Sequence, residues 1–133
     1  MPKVLISDKL SPAAVEIFRN RGIDVDLKPG LSPADLRAII GDYDGLAIRS
    51  ATKVTKELLA ATTKLKVVGR AGIGVDNVDI RSATARGVVV MNTPHGNTIT
   101  TAEHAIAMMF ALARQIPEAS GSTKAGKWEK NRF

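Results

Sequence analysis

Five short apolar runs, each followed by a segment carrying helix start and stop signals, constrain this chain more than anything else in it. Residues 3–7 (KVLIS) are apolar without alternation, as a strand covered on both faces is, and Asp8 stands at the carboxyl end. Ser11-Pro12 then reads as an N-cap with proline in the first turn, with Leu10 and Val15 as the flanking apolar pair. Val15 and Phe18 point inward, Arg19 and Arg21 outward, and Gly22 ends the helix. Residues 23–27 (IDVDL) alternate, as a strand with one more exposed face does. Ser32-Pro33 repeats the cap and proline, Leu36, Ile39 and Ile40 form a buried stripe, and Gly41 stops that helix.

The pattern continues through Gly45–Ile48 (GLAI), a loop from Arg49 to Val54, and a short helix to residue 61 capped by Thr55, with Val54 and Leu59 as its apolar pair. Residues 66–69 (KVVG) are a fourth strand. Asn77 or Asp79 caps a helix over 80–86, Gly87 ends it, and 88–91 (VVVM) are a fifth strand. Strand and helix alternating with short connections predict a parallel sheet with helices on both faces, an α/β flavodoxin-like domain over residues 3 to 92. Residues 92–97 (NTPHGN) are turn chemistry and read as a hinge. Thr100-Thr101-Ala102-Glu103 matches a capping box, opening a helix over 102–114 from Ala102 to Arg114. Residues 105–113 of that helix are uninterruptedly apolar, so it needs cover on nearly every side. Pro117 is expected to interrupt the helix. Gly121 and Gly126 bracket a short basic segment and no second sheet follows, so the chain is expected to stop inside a second domain.

Composition narrows the function. With 44% hydrophobic and 24% charged residues over 133 positions, the chain is of soluble globular type. No apolar run approaches the roughly 20 residues that span a bilayer, and no signal-peptide core is seen, so a cytoplasmic setting is expected. The absence of cysteine rules out disulfides and thiolate chemistry, and His95 and His104 alone make no metal site. A net charge of +6 beside only 4% aromatics points to small anionic metabolites rather than nucleic acid.

Three loops at carboxyl ends of strands carry donors for such an anion: Arg49-Ser50 with Lys53, Arg70 with Gly72-Ile73-Gly74, and Asn97 beside the hinge. In a parallel sheet those ends share one edge, so they can converge. Arginine offers a bidentate fork and glycine turns offer amides. Gly72-Ile73-Gly74 also invites a dinucleotide reading, but Asn77 stands where the fingerprint needs a third glycine and Asp76 would repel a pyrophosphate. A tight turn serving only packing is the other reading. Asp8, Asp76 and Asp79 are general bases or, more ordinarily, caps and turn residues. His95 reads as an exposed loop residue, His104 as an interface residue, and Met108 and Met109 as filler. No nucleophile, base and acid occur together, so no catalytic residue is assigned.

The runs Arg49-Ser50-Ala51-Thr52-Lys53-Val54, Val68-Gly69-Arg70-Ala71-Gly72-Ile73-Gly74-Val75-Asp76-Asn77 and Met91-Asn92-Thr93-Pro94-His95-Gly96-Asn97 resemble the D-isomer-specific 2-hydroxyacid dehydrogenases. The likeness runs on through Leu112-Ala113-Arg114-Gln115-Ile116-Pro117 to Gly126-Lys127-Trp128-Glu129. It implies a substrate-binding domain begun by residues 1–97 and an NAD domain whose first helices, 98–133, form much of a homodimer interface. The implied reaction is NAD-dependent oxidation of 3-phospho-D-glycerate to 3-phosphohydroxypyruvate, on the way to L-serine. Arg49, Ser50 and Lys53 would then hold the phosphate, with Arg70 as a further cation of the pocket. Gly72 and Gly74 would line the cleft at the substrate carboxylate, Ile73 would touch NAD, and Asn97 would be a hinge asparagine near the substrate. Residues 128–132 would approach the neighbouring subunit's pocket. The family's GxGxxG motif, its ribose-binding acid and its catalytic arginine, glutamate and histidine would follow the last residue here, as would the segment that returns to complete the substrate domain. This chain alone is therefore expected to be inactive. The competing expectations are a free-standing flavodoxin-like ligand-binding or dimerisation module, and a related dehydrogenase with another substrate, against which the phosphate-suited Arg49 and Lys53 argue.

Overall fold

The computed structural model describes residues 1–133 and divides into two units, Met1–Gly96 and Asn97–Phe133. In the first, β1 (Lys3–Ile6), β2 (Asp24–Leu27), β3 (Gly45–Ile48), β4 (Val67–Arg70) and β5 (Val89–Met91) form one sheet in the order β2-β1-β3-β4-β5. Every pairing is parallel, and the order is that of a flavodoxin-like fold, as expected.

Alternation of side chains across the strands splits the interior in two. On one face Leu5, Leu46, Ile48 and Val68 pack with Leu36 of α2 (Pro33–Ile39), with Ile40, with Leu58 and Leu59 of α3 (Lys56–Ala60) and with Ala83 of α4 (Ile80–Ala85). On the other, Val4, Ile6, Val25 and Ala47 meet Ala14, Val15 and Phe18 of α1 (Pro12–Asn20), with Leu10 beside them. Only α1 covers that second face within this unit. Across the sheet, Val89 and Met91 of β5, whose register partners Val67 and Gly69 lie on the same face, are each 58% exposed.

Capping follows the sequence with some changes. The side chains of Ser32 and Thr55 accept from Asp35 N and Leu58 N, whereas Ser11 caps through its backbone conformation alone. Asp79, not Asn77, caps α4, its Oδ1 accepting from Ser82 N at 2.9 Å. Gly22 and Gly87 follow α1 and α4 with φ of 70° and 68°, a conformation other residues enter at a cost. Gly41 lies inside a 3-10 turn, Ile40–Asp42, that prolongs α2. Arg70 is the last residue of β4 rather than the first of the loop.

The second unit is α5 (Thr98–Ala113) followed by α6 (Ile116–Lys124), which packs against it. The capping box expected at Thr100 and Glu103 lies inside α5, because the Asn97 carbonyl already accepts from Thr101 N and closes the first turn earlier. Pro117 does not interrupt a helix. Gln115, with φ of 51°, separates the two helices, and Pro117 sits in the first turn of α6, where its missing N–H has no intrahelical partner to lose. No residue of α5 is buried, and Ile99 and Leu112 are 74% and 82% exposed. No helix is long and apolar enough to cross a membrane.

Candidate functional site

Parallel pairing of β3 with β4 sets Ile48 opposite Arg70, so the loop beginning at Arg49 and the glycine turn after Arg70 leave the sheet side by side. The first loop is held from two directions. From β1 comes Asp8, 5% exposed, whose carboxylate accepts from Arg49 N at 2.6 Å, Thr52 N at 3.1 Å and Thr52 Oγ1 at 2.6 Å. Because the Thr52 hydroxyl donates to Asp8, the Ser7 hydroxyl 2.9 Å away donates to Thr52. From the β4 side comes Asn77, whose Nδ2 donates to the carbonyls of Arg49 at 2.7 Å and Thr52 at 2.6 Å. Backbone bonds from Val54 N to Asn77 O and from Asp79 N to Val54 O, both 2.8 Å, complete the seam. Burial alone would raise the Asp8 pKa. The Thr52 hydroxyl and the amides of Thr52, Arg49 and Ala51 outweigh that and hold it below the usual carboxylate value.

Arg70 lies over the glycine turn. Its side chain is only 12% exposed, and a Cβ added to Gly72 would fall 2.5 Å from Nη1. Glycine at 72 leaves room for the close approach of the guanidinium, which a larger residue would push aside, and is not demanded by backbone conformation. The Nε is buried without a hydrogen-bond partner, and Nη2 stands 4.0 Å from an Asp76 carboxylate that is 87% exposed, a weak pairing. An arginine so nearly buried with donors to spare suits an anionic ligand. The turn is tied to the exit of β5 by Asn92 Nδ2 donating to Ile73 O at 2.7 Å and Thr93 N donating to Gly72 O at 3.0 Å. The Ile73 and Gly74 amides find no acceptor in the chain.

Of the residues singled out in the sequence, Arg49, Ser50, Arg70, Gly72 and Gly74 come together on this edge, and Ile73 is exposed beside them. Lys53 lines a different space, a cavity of about 760 Å³ between α2 and α3 shared with Asp8, Lys9, Leu31 and Arg37, which none of those five lines. Asn97 opens the second unit as the N-cap residue of α5. Asp8 and Asp79 are spent on backbone amides, and His95 and His104 are exposed. Sequence reasoning missed Thr52 and the bracing duty of Asn77; the signal available was that an amide side chain stands where a dinucleotide loop has glycine. The turn does not fit a pyrophosphate. Asn77 is consumed by the neighbouring loop, the Asp76 carboxylate abuts Gly74, and Asp79 occupies the Ser82 amide at the start of α4. No three His, Asp or Glu side chains are grouped to hold a metal.

The sequence of this parallel α/β domain and of the two helices after it matches a known family. The chain belongs to the D-isomer specific 2-hydroxyacid dehydrogenases, whose catalytic-domain model covers residues 4–127. Its curated relatives include the D-3-phosphoglycerate dehydrogenase of Synechocystis sp., 50% identical over 100% of this chain and 24% of that protein. The human D-3-phosphoglycerate dehydrogenase is 52% identical over 98% of this chain and 25% of that protein. The chain therefore spans about a quarter of the length of these relatives. Among solved structures, a protein of Pyrococcus horikoshii superposes with a TM-score of 0.86 at 31% identity, covering 98% of this chain and 39% of that one. The NAD+-bound 3-phosphoglycerate dehydrogenase of Entamoeba histolytica gives 0.72 at 32% identity, covering 83% of this chain and 38% of that one.

Two outcomes follow from this geometry. Gly72→Ala forces the Arg70 guanidinium aside; its Nε–H resonance should move while stability changes by less than about 1 kcal/mol, since the obstructing atom ends a flexible side chain. The lowered pKa of Asp8 means that its stabilisation is complete above the ordinary value of 3.8 and is lost as pH falls through the folded-state value. Urea midpoints should be flat between about pH 7 and 5 and fall below about pH 4, and Asp8→Asn should remove part of that fall.

Proposed function

We propose that this chain is the substrate-contacting portion of an NAD-dependent dehydrogenase that oxidises 3-phospho-D-glycerate to 3-phosphohydroxypyruvate, towards L-serine, in the cytoplasm. The observation that carries the proposal is the pair of arginines on adjacent strand ends, one braced at its backbone and the other nearly buried with an unpartnered Nε. A substrate with a phosphate at one end and a carboxylate at the other suits two guanidinium groups that approach from separate loops.

In this reading Arg49 and Ser50 seat the phosphate, and Arg70 with the Ile73 and Gly74 amides faces the carboxylate. Lys53, on the neighbouring cavity, adds positive charge rather than a direct contact. Residues 1–97 are the first part of the substrate domain, 98–133 open the NAD domain, and Asn97 is the hinge between them. NAD, when bound, accepts a hydride from C2 of the substrate. Ile73, 42% exposed within the turn, would line the nicotinamide side. Of the three aspartates near this edge, Asp8 and Asp79 are engaged with amides and are not free bases for the substrate hydroxyl, while Asp76 is exposed with Oδ1 4.0 Å from Arg70 Nη2. The chain by itself binds and orients substrate without turning it over. A second copy covers the apolar surface of α5, between Ala102 and Arg114, in a homodimer.

Calorimetry with 3-phosphoglycerate should give measurable binding that Arg49→Ala weakens at least about tenfold. An equal response to glycolate or lactate would place the substrate among unphosphorylated acids instead. Light scattering across a concentration series should give a dimer, and a monomer at every concentration would remove the α5 interface.

A further inference from the structure

The Arg49 to Thr52 loop is unusual in having its backbone spoken for on both sides. Asp8 takes the Arg49 and Thr52 amides while Asn77 feeds the carbonyls of the same two residues. A four-residue loop fixed by acceptors at one side and donors at the other cannot pivot, so the direction in which Arg49 leaves the backbone is set before any ligand arrives. The brace also removes the Arg49 and Thr52 amides from ligand binding. Asp8 also engages the Ala51 amide, so an anion at this loop is left the Arg49 guanidinium with the Ser50 hydroxyl and amide, and no nest of successive amides compensates if the side chain is misdirected.

Resting on the function proposed above, we propose that Asp8, Thr52 and Asn77 are positioning residues that set the affinity for a phosphorylated hydroxy acid through Arg49, without touching the ligand. Thr52 is the keystone. It meets Asp8 through both its amide and its hydroxyl, Asn77 through its carbonyl, and Ser7 through the same hydroxyl. Asn77 shows how directed the arrangement is: both of its donated bonds go to this loop, and its Oδ1 is buried with no hydrogen-bond partner.

The test compares Thr52→Val, which keeps the shape and removes the hydroxyl, with Thr52→Ser, which keeps the hydroxyl. Asn77→Ala serves as a second, independent variant. Each folded 133-residue chain is titrated with 3-phosphoglycerate, and exchange of the Arg49 amide hydrogen is followed without ligand. Thr52→Val and Asn77→Ala should each weaken binding about tenfold and speed Arg49 amide exchange, while Thr52→Ser restores both. A residue that merely stabilised the fold would shift the thermal midpoint and leave the affinity of the folded molecules unchanged. Unaltered affinity in both Thr52→Val and Asn77→Ala, with wild type binding, would overturn the positioning role alone. Absence of binding by wild type would overturn the function on which it rests, and this inference with it.

Discussion

Parallel pairing of β3 with β4 is the constraint from which the rest of the molecule's chemistry descends. The register that sets Gly45 beside Val67 also sets Ile48 beside Arg70, and so fixes the distance between two loops that the sequence keeps some twenty residues apart. Packing enforces it: a Cβ at Gly45 would come within 3.0 Å of Val4 Cγ2 and 3.3 Å of Val67 Cγ1, so the central strands approach closely there. A slip of one residue would turn Val68 out of the core and Arg70 into the opposite face. The placement of the cations is thus a by-product of hydrophobic alternation.

Much of this was legible in the residues, and the reason is local consistency. Residues 3–48 combine uninterrupted apolar strands, Ser-Pro helix starts and glycine stops, each pointing to the same elements. A parallel sheet with helices on both faces followed from alternation with short connections, and the order β2-β1-β3-β4-β5 is that of the flavodoxin-like fold expected. What the sequence did not reveal depends on contacts made only in three dimensions. Asn77 looked like a helix cap because its neighbours have cap chemistry, but its side chain is drawn to carbonyls 25 and 28 residues away. Lys53 shares a loop with Arg49 and yet lines the cavity between α2 and α3. The start of α5 moved for a simpler reason: any residue with a free carbonyl can close a first turn, and Asn97 does so upstream of the better-looking box.

The two units differ in how they treat apolar surface. The first buries two clusters on opposite faces of its sheet, and among the apolar residues it leaves exposed are Val89 and Met91 on the flank away from α1. The second places Ile106, Met109, Phe110 and Leu112 in the open on a single helix. A side chain of that size contributes roughly 1.5–3 kcal/mol when fully removed from water, a gain that these residues do not realise within the second unit.

The bonds that brace the arginine loop join residues 41, 44 and 45 positions apart, from the first strand to the third. Such ties cannot form until the intervening strand and both helices have been laid down between them, because the entropy of closing so long a stretch is recovered only by the assembled sheet. The fixed direction of the Arg49 loop is for that reason a late feature of the molecule, and a sensitive one: a nick, a slipped strand or a loosened second helix would free the loop before any loss of secondary structure.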